Sequence, residues 1–131
     1  MQAAPNPYRQ YQQNAVLTAD PGRLTLMLYR GAVKFIRRSM DCITAKDIPG
    51  AHRLNLRAQD ILLHLLGTVD QNMEIGKNLA ALYDYMYRRL VEANIKKDPA
   101  VLQEVAGLLE DLAGTWEDAL KARPAPTGGE P

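Results

Sequence analysis

The chain has little of what most catalytic and metal sites are built from. One of its 131 residues is cysteine and two are histidine. Cys42 has no second thiol for an intrachain disulfide, which suits a reducing compartment, and it reads as a small apolar residue. His52 and His64 stand ~120° apart around an ideal helix and so share no face. No Glu-x-x-His occurs, which argues against a di-iron bundle, and no Cys/His cluster suggests zinc. A P-loop, a Gly-x-Ser-x-Gly elbow and a dinucleotide fingerprint are also missing. The expectation is a protein that is not an enzyme and needs no cofactor or metal. The longest apolar run, Ile61 to Gly67, is broken by His64, so no membrane insertion is expected. The opening Met1-Gln2-Ala3-Ala4-Pro5 has neither a basic nor an apolar leader segment, and a cytoplasmic location is expected.

What is present is ordinary in amount and uneven in placement. The formal net charge is +1, which gives no general reason to expect nucleic acid as a partner. Residues 1–47, however, hold seven basic and three acidic side chains, and residues 98–131 hold two basic and seven acidic. Helices drawn from these two ends attract one another if they lie side by side. Arg88-Arg89 and Lys96-Lys97 do not make a nucleic-acid patch, because Asp84 and Glu92 stand four residues either side of Arg88.

Four segments repeat apolar residues at helical spacing. The first is predicted from Pro21 to about Ala45, with Leu24, Leu28, Ala32, Phe35, Ile36, Met40 and Ile43 inward. Asp20-Pro21 is a start signal: a carboxylate for the orphan amides, then a proline where no amide is needed. The second runs from about Pro49 to Val69, with Leu54, Ala58, Ile61, Leu62, Leu65, Leu66 and Val69 inward. The third runs from about Asn72 to Lys96, with Ile75, Leu79, Leu82, Met86, Leu90 and Ala93 inward. Asp98-Pro99 opens the fourth, which reaches about Ala122 with Leu102, Val105, Leu109, Leu112, Trp116 and Ala119 inward. Near-equal lengths and short connections predict an all-α, antiparallel up-down-up-down four-helix bundle over 21–122. Residues 1–20 are predicted to form a short helical cap, with Asn6-Pro7-Tyr8 opening it and Tyr8 and Tyr11 holding it down. These residues suit a movable cover and a fixed strap equally. Residues 123–131, rich in Pro and Gly, are expected to be disordered.

The third helix carries the least ordinary composition. Tyr83, Tyr85 and Tyr87 span more than half its circumference and cannot all face one core. Tyr85 falls with Asn78 and Arg89 in a stripe beside the apolar one. That mixture suits contact with a partner's side chains and backbone, and burial of Tyr85 against a neighbouring helix suits it equally.

The same residues carry a resemblance. Asn6-Pro-Tyr-x-x-Tyr-Gln-Gln-Asn14, followed by Val16-x-Thr-Ala-x-Pro-Gly-x-Leu-Thr-Leu-Met-Leu-Tyr29-x-Gly31, resembles the opening of the FliS flagellin chaperones. The likeness resumes at Ala58-Gln59-x-Ile61, is strongest over Tyr83-Asp-Tyr-Met-Tyr-Arg-Arg-Leu-Val-Glu-Ala-Asn-Ile95, and continues through Glu104-Val105 to Trp116. Arg30, Asp20 and Arg53 depart from the residues common in that family, and no family role is carried to Asn55. The resemblance implies a capped antiparallel four-helix bundle. It also implies a cytoplasmic chaperone that binds the disordered C-terminal region of flagellin, prevents premature polymerisation and delivers its client to the flagellar type III export gate. The competing expectation is an interaction module for another flagellar protein, such as a secretion regulator. For the chaperone, the partner-binding surface is expected in a groove between helices two and three. Gln59 and Leu62 would form one wall, Asn78, Leu82, Tyr85 and Arg89 the other, and Tyr8 and Tyr11 would cover it.

Overall fold

The computed structural model describes residues 21–122. They form four helices: α1 (Pro21–Thr44), α2 (Ile48–Thr68), α3 (Glu74–Lys96) and α4 (Pro99–Ala122). At ~1.5 Å per residue they are about 32–36 Å long. Each packs against its neighbours in chain order, and α4 closes the ring against α1, which is the all-α bundle expected from the spacing. The predicted cap and tail lie outside the described residues.

Local chemistry sets the turns. The Asp47 carboxylate accepts from the Gly50 amide at 3.0 Å and caps α2, with a proline in its first turn. Asp98 accepts from the Ala100 amide at 2.9 Å at the start of α4. Lys97 ends α3 in the left-handed conformation at φ 51°, and its ammonium turns back to the Asn94 carbonyl and side chain. Between α2 and α3 the chain returns so tightly that a side chain at Gly76 would put its Cβ 1.6 Å from the Asp70 carbonyl oxygen. α3 accordingly starts two residues later than the spacing suggested, after a turn around Asp70.

The core is rotated slightly from the predicted stripes. Ala32, Ile36, Ala58, Leu62, Leu65, Met86, Leu90, Ala93, Leu102, Val105 and Leu109 are buried, but so are Tyr29, Tyr83 and Ala106. Phe35, Leu28 and Leu79 are only partly covered. Ile75, expected inside, is 60% exposed at the open end of the bundle. The two buried phenols are tolerated because they satisfy each other, Tyr29 Oη to Tyr83 Oη at 2.5 Å. Trp116 meets Tyr29 edge-on with ring centroids 5.3 Å apart. Burial pushes both phenols above the ordinary tyrosine value. Polar groups also stitch α2 to its neighbours. Ser39 Oγ donates to the Ala51 carbonyl, Asn55 Nδ2 donates to the Leu90 carbonyl, and Gln59 Nε2 donates to Asn55 Oδ1.

The uneven charge pairs as expected. Arg30 reaches Glu117 at 2.7 Å, and Arg37 reaches Glu110 at 2.8 Å, both across the α1–α4 seam. These pairs are exposed and each is worth at most about 1 kcal/mol. They select which helices neighbour more than they hold the fold.

Candidate functional site

α3 has two edges, and the chemistry-bearing residues divide between them. Tyr83 and Asn94 lie toward α2, where Asn94 Nδ2 meets His52 Nδ1 at 2.8 Å. Asn78, Leu82, Tyr85 and Arg89 follow at spacings of three and four on the opposite edge, toward α4. Tyr85 Oη donates to Glu104 Oε2 at 2.6 Å, and Arg89 Nε donates to Glu104 Oε1 at 2.9 Å. Arg89 also holds Glu92 at 2.7 Å, and Lys96 reaches the other oxygen of Glu92 at 3.3 Å. One carboxylate of α4 is therefore clamped by two groups of α3.

The electrostatics follow from those contacts. The Tyr85 hydroxyl, then the Arg89 guanidinium, hold the Glu104 carboxyl below the usual glutamate value. Donation to Glu104 pushes the Tyr85 phenol up. Arg89, then Lys96, lower Glu92, and the two carboxylates raise Arg89. All these groups keep substantial exposure, so the cluster is a latch on the surface and not a buried ion pair.

Beside the latch the seam is apolar. Leu108 and Leu112 stand one and two turns beyond Glu104, and Leu82 precedes Tyr85 by one turn on α3; with Leu79 and Trp116 they are partly buried against the core. The α3–α4 seam is the least closely packed of the four. Asn78 and Tyr85 rim it, Tyr85 being 36% exposed, and Ile75 lies at its open end. A half-covered apolar floor with a polar rim suits binding of a peptide.

The residues expected to line a groove between the second and third helices fall on two edges of the bundle. Leu62 is fully buried and cannot form an open wall. Gln59 is 8% exposed, bonded to Asn55, and lies on the α2 side. Asn78, Leu82, Tyr85 and Arg89 face α4, because their helical positions turn them away from the edge that meets α2. The two expected walls thus belong to different seams. Tyr8 and Tyr11 lie outside the described residues. Sequence reasoning passed over Glu104 and Leu108. The signal for both was their spacing of four on a helix whose partner edge carries Arg89 and Leu82.

A concavity of about 300 Å³ lies on the α1–α4 seam and is lined by Arg30, Val33, Glu110, Ala113, Gly114 and Glu117. Arg30 and Glu117 of its lining form an ion pair. No helix is long and apolar enough to cross a membrane, and no group of three or more metal-ligating side chains occurs, among the described residues.

The family model described as flagellar protein FliS matches residues 4–123. The chain is 46% identical over 120 residues to the flagellar secretion chaperone FliS of Bacillus subtilis (strain 168), covering 92% of this chain and 90% of that one. It is 35% identical to the flagellar secretion chaperone FliS of Salmonella typhimurium, over 80% of each chain. A crystal structure titled as a flagellar chaperone from bacteria superposes with a TM-score of 0.75 over 89% of this chain and 97% of that one, at 17% identity, which speaks for the fold alone. The described helices, their order and these relatives agree: the chain belongs to the FliS family of flagellar proteins.

Proposed function

We propose that this chain is a cytoplasmic chaperone for flagellin: it binds the disordered C-terminal region, prevents premature polymerisation and delivers the client to the flagellar type III export apparatus. The observation that carries the reading is the α3–α4 seam, where a half-covered leucine floor lies beside the Tyr85–Glu104–Arg89 latch. An unfolded client lays apolar side chains over Leu82, Leu108 and Leu112. Asn78, Tyr85 and Arg89 meet its backbone and polar groups at the rim. Ordering such a segment costs several kcal/mol, so the contact extends beyond one seam and the leucine floor is its anchor. The likeness to flagellar secretion chaperones supports a role in flagellar secretion.

The test is calorimetric titration of the chain with a peptide of the host flagellin's C-terminal region. Tyr85→Ala combined with Arg89→Ala is expected to abolish measurable binding while circular dichroism shows the helices intact. Unchanged affinity rejects the seam. Equal capture of flagellin with and without its C-terminal region rejects the client segment.

A further inference from the structure

The charge on the bundle is divided by helix pair. Residues 21–68, covering α1 and α2, hold eight basic and three acidic side chains, whereas residues 74–122, covering α3 and α4, hold six and nine. Within the basic half, Arg30 and Arg37 are taken by Glu117 and Glu110. Lys34, Arg38, Arg53 and Arg57 are exposed. Neither Lys34, Arg38 nor Arg53 has a hydrogen bond or ion pair to a described residue.

Helix packing gathers these four. Ser39 Oγ bonds the Ala51 carbonyl at 2.8 Å, and the Arg57 guanidinium lies 5.7 Å over the Phe35 ring. This antiparallel alignment sets Arg38 level with Arg53, and Lys34 level with Arg57. Near Cys42 of α1, Asp47 acts electrostatically first, then Arg53 and Asp41. Asp41 stands one turn beyond Arg38 and Asp60 one turn beyond Arg57, so the four cations outnumber the carboxylates beside them. The ring order of the helices puts this patch on the side of the bundle opposite the α3–α4 seam.

We propose that the Lys34–Arg38–Arg53–Arg57 face is a second docking site, for an acidic segment of another protein, usable while the α3–α4 seam is filled. Three of the four cations are arginines, whose planar guanidinium takes a carboxylate through two parallel hydrogen bonds. Arg57 is already oriented by Phe35. The patch matches a few carboxylates, not an extended polyanion or a membrane plane, because the other half of the bundle is net negative and repels both. It rests on the charge pattern and holds whatever the client in the other seam is.

The probe is a fluorescein-labelled oligo-glutamate peptide, followed by anisotropy against the full chain at about 50 mM and about 300 mM salt. Binding is expected at low salt, with affinity about tenfold or more weaker in Arg38→Glu/Arg53→Glu. Lys77→Glu, on α3, leaves it unchanged, and circular dichroism confirms that each variant is folded. Saturation with the flagellin C-terminal peptide leaves the probe bound. The proposal is overturned if the probe does not bind, if Lys77→Glu weakens binding as much as the double variant, or if the flagellin peptide displaces the probe. It is equally overturned if phosphatidylglycerol vesicles or an oligonucleotide bind this face more tightly than the probe.

Discussion

Arg89 of α3 and Glu104 of α4 face each other at 2.9 Å across the seam, and Tyr85 donates to the second oxygen of the same carboxylate. Removing the charge on Glu104 loosens both partners at once.

That relationship makes the latch acid-sensitive. The Glu104 carboxyl titrates below the ordinary glutamate value of 4.5. Its contribution to stability is therefore complete above the unfolded value and fades as pH falls through the lower folded one. Glu104→Gln is expected to melt below the parent at neutral pH. The difference should close as pH falls below the ordinary glutamate value and through the lower folded one, where the parent loses the same charge. Thermal unfolding across that range is the measurement, and a constant difference contradicts the assignment.

Leu62 and Leu82 separate folding from binding. Leu62 is fully buried, so Leu62→Ala is expected to lose about 2–5 kcal/mol in urea unfolding. Leu82 is only partly covered. Leu82→Ala should cost less stability yet weaken the flagellin peptide about tenfold, roughly 1.4 kcal/mol. If Leu82→Ala unfolds the bundle as severely as Leu62→Ala and leaves affinity untouched, the seam is core and not a binding surface.

Two glycines predict opposite signs. At Gly76 an added methyl group collides with the backbone carbonyl of Asp70, which cannot rotate away, whereas at Gly107 it meets nothing within 4 Å. Gly76→Ala is expected to destabilise by about 1–3 kcal/mol or more. Gly107→Ala, within α4, is expected to stabilise by about 0.5–1 kcal/mol through helix propensity. Paired denaturant titrations decide this, and two changes of the same sign contradict the turn geometry.

The four helices were legible because their signals are local. Asp98-Pro99 marks a start, and leucines at three and four make a stripe that needs no knowledge of neighbours. The rotation of each stripe was less legible. Tyr29 and Tyr83 are 54 positions apart, and nothing near either one announces that its hydroxyl will be satisfied by the other. A tyrosine with a partner sinks into the core and turns its helix, leaving Phe35 and Leu79 nearer the surface. The neighbours of the candidate residues were hidden for a related reason. Periodicity placed Asn78, Tyr85 and Arg89 on one edge, but which helix lies beside that edge depends on the handedness of the ring, and spacing does not encode it. The opposite charges of Arg89 and Glu104 were the available clue.

The aromatic pairing at the heart of the bundle has a practical consequence. Trp116 is the chain's sole indole, and it rests edge-on against Tyr29, which in turn holds Tyr83. Three helices thus meet around a single native indole. Its emission colour and quenching report on the junction of α1, α3 and α4 without any attached dye, so spreading of those helices under load is visible in the unmodified protein.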